Sequence, residues 1–221
     1  MTTSGTVAFN LDVVTIAEEA FERVGKEMRS GYELKTARRS LDLLMKEWAN
    51  QGINFWTIEE TTIAVDAGTS ELTLASDTID ILDASWRTGS GMGQNDRIMT
   101  RMSVTEWAQT ANKNQTSTPS RFWVNRTVPP VVTIWPIPSQ AGIFVYWKMR
   151  LIEDVGNSSR TMDVPSRFLP AMVAGLAYYL AQKTPGAEAK ISFLQQEYER
   201  QFRLAAEEDR DRSSLFLVPG C

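Results

Sequence analysis
Residues 165–183 read PSRFLPAMVAGLAYYLAQK, the longest apolar run in the chain. The run predicts a buried helix. Ser166 stands where an N-cap belongs, and Pro170 falls in the first turn, where a missing N–H costs little because those donors have no intrahelical acceptor. Thr184-Pro185-Gly186 follows and stops the ladder. Phe168, Met172, Leu176, Tyr179 and Leu180 recur at helical spacing, with Ala171, Ala174, Gly175, Ala177 and Ala181 among them. A helix apolar most of the way round needs partners on several sides. Ala171, Ala174, Gly175 and Tyr178 are the candidate packing positions, against the rest of the chain or another subunit. Arg167, Pro170 and Gln182 trim the run below the roughly 20 apolar residues of a membrane span, so no membrane is expected.

Three further helices are predicted around it. Asn10 is the candidate cap of a first helix running to about Met28, with Val13, Ile16, Ala17, Ala20, Phe21 and Val24 as its apolar stripe. Glu18, Glu19, Glu22, Arg23, Lys26 and Glu27 mark its wet side, and Ser30-Gly31 breaks it. A second helix runs from about Glu33 to Asn50, with Leu34, Ala37, Leu41, Leu44, Met45 and Trp48 on one face and Gly52 past its end. Ala187, Ile191, Leu194, Tyr198 and Phe202 set out a last helix. Residues 207–212 then carry mixed charge without an apolar face and read as solvated.

Between Phe55 and Leu151 the helical period vanishes, and β-branched and aromatic residues take over. Strands are predicted over 61–65, 71–74, 78–87, 97–102, 122–126, 131–135 and 143–151. The turn residues 66–70 suggest that the first two form a hairpin. Ser103-Val104-Thr105-Glu106 fits a capping box and predicts a short helix carrying Trp107. Residues 88–95 and 112–120 read as loops. Six of the seven tryptophans fall in this region, where they are expected to fill the core of a small sheet.

The fold expected is α+β: an antiparallel four-helix bundle, residues 1–54 and 160–212, interrupted by a β-rich insertion domain, 55–159. An extended tail, 213–221, follows. Helices from both sequence ends must then build one core.

Net charge is −4, so no global basic field draws the chain to nucleic acid. Residues 1–10 lack the basic start and apolar core of a secretory leader. The single cysteine, Cys221, allows no intrachain disulfide. There is no histidine, which removes Ser-His-Asp and Cys-His catalysis and imidazole zinc sites.

Paired acids at Glu18-Glu19 and Glu59-Glu60 read as solvated surface. Asp77, Asp80 and Asp83 are spaced like metal ligands but lack the glycine and terminal glutamate of a calcium loop. Gly89-Ser90-Gly91-Met92-Gly93 has no following Lys-Ser/Thr and is no phosphate cradle. Arg121, Arg126, Lys148 and Arg150 among Trp123, Trp135 and Trp147 could grip a single strand; the alternative is core aromatics with charges alternating outward. No cofactor or metal is expected, and no enzymatic activity.

The last residues resist a bland reading. Leu215, Phe216, Leu217, Val218 and Pro219 place an apolar tip on a charged stalk, where tails are normally polar. Such a tip either docks into another protein's groove or folds back on its own helices.

The layout resembles the head-to-tail adaptor (connector) proteins of short-tailed phages, the tail tubular protein A and packaged-DNA-stabilising group. The resemblance spans essentially the whole chain. It is carried by Ala17-Glu18-Glu19-Ala20, by Ala37-Arg38-Arg39-Ser40-Leu41 with Trp48 and Gly52-Ile53-Asn54-Phe55-Trp56, by Glu71-Leu72-Thr73-Leu74, and by the run from Val164 with its Gly175-Leu176-Ala177-Tyr178-Tyr179-Leu180 core. It implies a dodecameric ring in the virion neck, made in the bacterial host cytoplasm. The ring would lie below the portal protein, extend the DNA channel, retain packaged DNA and dock the tail nozzle protein. Double-stranded DNA would pass without sequence-specific binding, which net negative charge suits. Portal binding carries over to Leu215, Phe216, Leu217, Val218 and Pro219. The nozzle-facing loops carry over to Gly89, Gly91, Gln94 and Asn95, and to Asn112, Lys113 and Asn114. Two other classes stay open on the residues alone: a nucleic-acid-binding module, and a small virion-associated hydrolase.

Overall fold
The computed structural model describes residues 11–52, 55–156 and 162–209. The chain divides into two compact units, one reaching to Phe55 and resuming at Ile152, the other spanning Trp56–Leu151.

The helical unit holds α1 (Val13–Val24), α2 (Gly31–Asn50), α4 (Leu169–Ala181) and α5 (Ile191–Glu208). The sheet unit holds α3 (Val104–Gln109) and strands β1 to β9. α4 packs against α1, α2 and α5. The architecture is α+β, with helices gathered on α4; these contacts do not define the regular antiparallel four-helix bundle expected from periodicity.

Four boundaries differ from expectation. The cap of α1 is Asp12, which accepts from the Thr15 N–H at 2.8 Å; Asn10 lies outside the described residues. α1 stops at Val24 rather than near Met28. Gly25, in the left-handed region, and Lys26 turn their N–H groups back to the carbonyls of the last turn. Ser30 does not merely break a helix: it caps α2 and completes a capping box with Glu33. Lys26 and the Arg29 N–H hold the Glu33 carboxyl down to about 2. Ser166 is not the cap of α4. It opens a single 3₁₀ turn, Ser166–Phe168, and α4 follows with Pro170 in its first turn.

α4 is buried almost throughout, from Ala171 to Ala177 and again at Leu180 and Ala181. Of the candidate packing positions, Ala171, Ala174 and Gly175 are buried and Tyr178 is half-buried. Gly175 is the closest approach: a Cβ there would lie 2.9 Å from both Leu44 methyls and 2.9 Å from Tyr198 Cε2. Neither neighbour can withdraw easily, since Leu44 is fully buried and the Tyr198 ring is hydrogen-bonded. Lys190 Nζ donates to the Val24 carbonyl at 2.9 Å and so ties the start of α5 to the end of α1. Residues 207–212 were expected to be solvated, yet Asp209 is buried and paired with Arg167.

In the sheet unit the strand order is β1-β9-β3-β4-β6-β7-β2. β1 (Ile58–Val65) pairs antiparallel with β9 (Gly142–Arg150), from Ile58↔Met149 to Val65↔Gly142. β2 (Glu71–Thr73) pairs with β7 (Val131–Trp135). The predicted hairpin of 61–65 with 71–74 is therefore not formed. A flat sheet would hold its edge strands about 29 Å apart. The link 66–70 spans at most about 21 Å. The sheet must curl to bring its edges together, and Gly68 and Ser70 bond across to Pro138 and Ile134. β3 (Thr78–Thr88) and β4 (Asn95–Arg101) form a hairpin, and β6 (Arg121–Asn125) lies parallel to β4. The short β5 (Thr116–Ser117) and β8 (Ile137–Pro138) pair separately.

The curled sheet encloses Ile81, Trp86, Phe122, Ile134, Phe144 and Tyr146 among others. The tryptophans do not fill it as expected: Trp86 is buried, Trp147 is exposed, and Trp56, Trp107, Trp123 and Trp135 are half-buried. Strand parity is the reason. Phe122, Val124, Ile134, Phe144 and Tyr146 take the inward positions, so Trp123, Trp135 and Trp147 face the other way.

Replacing Gly175 by leucine is expected to lower stability by about 2–3 kcal/mol through overpacking. An unchanged urea midpoint would mean that α4 has room on the Leu44 side.

Candidate functional site
Three surfaces carry the chemistry, two in the sheet unit and one in the helical unit.

The first collects the loops nominated from sequence. β1 ends and β9 begins at Val65↔Gly142, beside the end of β3 at Arg87↔Ile143. The link 66–70, the turn 89–94 and residues 139–141 therefore emerge at one end of the sheet. Residues 112–115 join them, because Gln115 accepts from the Ile137 N–H and Ser117 accepts from the Ser139 N–H. The chain enters and leaves at the opposite end, through Trp56 and Leu151. Gly89, Gly91, Gln94, Asn95, Asn112, Lys113 and Asn114 are all exposed. Both loops are shaped from within. Residues 91–93 form a 3₁₀ turn, and Gln94 donates to Asp96. Lys113 lies 5.3 Å over the Trp107 ring, Trp107 stacks on Trp123, and the Trp135 indole N–H donates to the Asn112 carbonyl. The short helix α3, with its Ser103–Glu106 capping box as predicted, sets Trp107 in place.

The second is the basic-aromatic set, in which Arg126, Lys148 and Arg150 face carboxylates. Asp80 sits between Arg101 at 2.8 Å and Arg126 at 2.6 Å. Burial raises the Asp80 pKa, but Arg101, the Ile81 N–H and Arg126 outweigh this and lower it. Lys148 is 5% exposed and lies 2.9 Å from Glu59 and 3.0 Å from Asp77. Burial lowers its pKa; the two carboxylates overcome this and raise it. Arg121 lies over Trp135, and Arg150 faces Glu59 at 3.9 Å. Asp77 and Asp80, spaced like metal ligands, are thus occupied by cations. No three His, Cys, Asp or Glu side chains group as a metal site among the described residues.

The third is a groove of about 850 Å³ between α2, α4 and α5. Glu47 organises it. Tyr179 donates to Glu47 Oε2 at 2.8 Å, Tyr198 to Oε1 at 3.1 Å, and the Trp48 indole N–H to the Tyr198 oxygen at 3.0 Å. Burial, then the bond to Glu47 and its charge, push Tyr179 up to about 12. Burial also raises Tyr198. Both phenols stay protonated donors at neutral pH. Sequence reading placed Tyr179, Tyr198 and Trp48 on apolar stripes but missed Glu47; its partners are far away in sequence, and no local spacing marks it. The tail residues Leu215, Phe216, Leu217, Val218 and Pro219 lie outside the described residues.

A family model for the SU10 adaptor protein matches residues 16–219, nearly the whole chain. The chain belongs to the SU10 adaptor protein family. It is a structural adaptor of a phage and a component of the virion. No curated protein matches this adaptor. No helix among its described residues is long and apolar enough to cross a membrane.

Removing the carboxylate in Glu47→Ala strands two phenol donors and is expected to cost about 2 kcal/mol in urea unfolding. A raised folded pKa means that stability is full below the unfolded tyrosine pKa and is lost as pH rises through the folded one. The parent should therefore weaken between about pH 10 and 12 more than Tyr179→Phe does. Equal alkaline loss in both proteins would contradict the network.

Proposed function
We propose that this adaptor closes into a ring below the portal of a short-tailed phage, as in the tail tubular protein A group. There it extends the DNA channel, holds packaged DNA and docks the tail nozzle. The family match over residues 16–219 carries the reading. The exposed loops at one end of the sheet unit support it further, since they lie away from the chain's entry and exit and suit a docking face. The nozzle contacts belong there, on Gly89, Gly91, Gln94, Asn95, Asn112, Lys113 and Asn114. Leu215, Phe216, Leu217, Val218 and Pro219 bind the portal. A dodecamer is the copy number the resemblance implies.

The adaptor acts by contact rather than by catalysis. In the groove, both oxygens of Glu47 accept phenol O–H groups, so the carboxylate holds three helices together. In the sheet unit, Arg126, Lys148 and Arg150 face Asp80, Asp77 and Glu59, and Arg121 lies over the Trp135 ring, which leaves little free positive surface in this set. DNA then passes with little retention by phosphate contacts.

Ending the chain after Ser214 is expected to leave the melting temperature unchanged while abolishing co-sedimentation with the portal. Portal binding by the shortened chain would overturn the role of the tail.

A further inference from the structure
α1 and α2 each expose a charged stripe that the subunit does not use. On α1 the stripe runs Thr15, Glu18 and Glu22, with Leu11 just before the Asp12 cap, and all four are exposed. On α2 it runs Tyr32, Lys35, Arg39 and Leu43, also exposed, with Tyr32 at 74% and Leu43 at 56%. Tyr32, Lys35 and Arg39, with Arg38 and Asp42, line a concavity of about 510 Å³. Among the described residues, the side chains of Glu18, Glu22, Lys35 and Arg39 have no ion-pair or hydrogen-bond partner. Their neighbours do: Glu19 holds Arg23, Lys26 holds Glu33, and Arg38 donates to the Gly156 carbonyl.

The two stripes match. Glu18 and Glu22 stand four residues apart, as do Lys35 and Arg39, so each pair sits about 6 Å apart on one helix face. Laid antiparallel, Thr15 meets Arg39, Glu18 falls between Arg39 and Lys35, and Glu22 reaches Lys35 beside Tyr32, with Leu11 before the cap at the Leu43 end. Acid and base thus occur on one chain at the same interval, on different helices.

We infer that the acidic stripe of α1 on one copy seats antiparallel on the basic stripe of α2 on the next. The inference rests on the reading of this adaptor as a self-associating ring, and adds which surfaces meet. The contact is heterologous, because each copy offers one surface and receives on the other, and such contacts generate rings when the rotation closes. The charges set orientation and exclude wrong registers, while Tyr32, Leu43 and Leu11 supply the apolar area.

Two variants test it: Glu18→Lys with Glu22→Lys, and Lys35→Glu with Arg39→Glu. All four positions are exposed, so both should melt as the parent does. The full-length chain is followed by sedimentation velocity up to about 1 mM, where weak contacts populate. Each variant alone should associate at least about tenfold more weakly than the parent. An equimolar mixture should regain association, because in alternating copies the reversed α1 of one variant faces the reversed α2 of the other, and at the next contact parent α1 faces parent α2. If both variants associate like the parent, this contact is wrong although self-association stands. If the variants weaken and the mixture does not recover, the pairing of α1 with α2 is wrong. A parent that stays monomeric throughout would remove the ring reading and this contact together. Binding of a DNA duplex by the parent, lost in the Lys35→Glu, Arg39→Glu variant, would make the α2 stripe a phosphate site and overturn the inference.

Discussion

The helical unit depends on the burial of α4 on nearly every side. An apolar helix of this kind is stable only when its neighbours cover it, and the neighbours come from both sequence ends: α1 and α2 before the sheet unit, α5 after it. Gly175 sets how close α2 and α5 can come, since Leu44 and Tyr198 occupy the space of a side chain there. Glu47 then fixes what packing alone leaves free. Packing is tolerant of small slides, whereas a carboxylate receiving two phenol O–H groups from α4 and α5 has one geometry. The adaptor's helical surfaces are therefore presented on a rigid support.

The sheet unit solves a different problem. A seven-stranded sheet with two free edges invites pairing with other chains. Curling brings β1 and β2 close enough for a five-residue link, and the interior takes aromatic and aliphatic residues of inward parity. The cost of closure falls on the ends, where loops must cross. At the end away from Trp56 and Leu151, Lys113, Trp107, Trp123 and Trp135 support those crossings. A loop held from beneath by stacked indoles is suited to recognition, because little ordering remains to be done on binding.

Much of this was legible in the sequence wherever the determinant is local. The 165–183 run, the α1 and α2 stripes, the change of period at Phe55 and the Ser103–Glu106 capping box each follow from residues within one or two turns. What sequence reading missed was set by distant partners. Residues 66–70 carry sound turn chemistry, yet turn chemistry does not choose partners; closure of the sheet sends β1 to β9 and β2 to β7. Asp209 looked solvated because Arg167, its partner, lies on the other side of α4 and α5 in the chain. Glu47 carries no local mark on α2, and only the fold brings Tyr179 and Tyr198 to it. The tryptophans misled for another reason: their abundance said core, while strand parity placed Trp123, Trp135 and Trp147 outside it.

Everything functional turns on where the adaptor sits in the particle. Electron cryomicroscopy of the virion neck tests this most directly. The expected map shows a closed ring of adaptor copies between portal and tail, with the 89–94 and 112–115 loops of every copy facing the tail. A neck without this fold, or the fold as single copies elsewhere in the virion, would contradict the account.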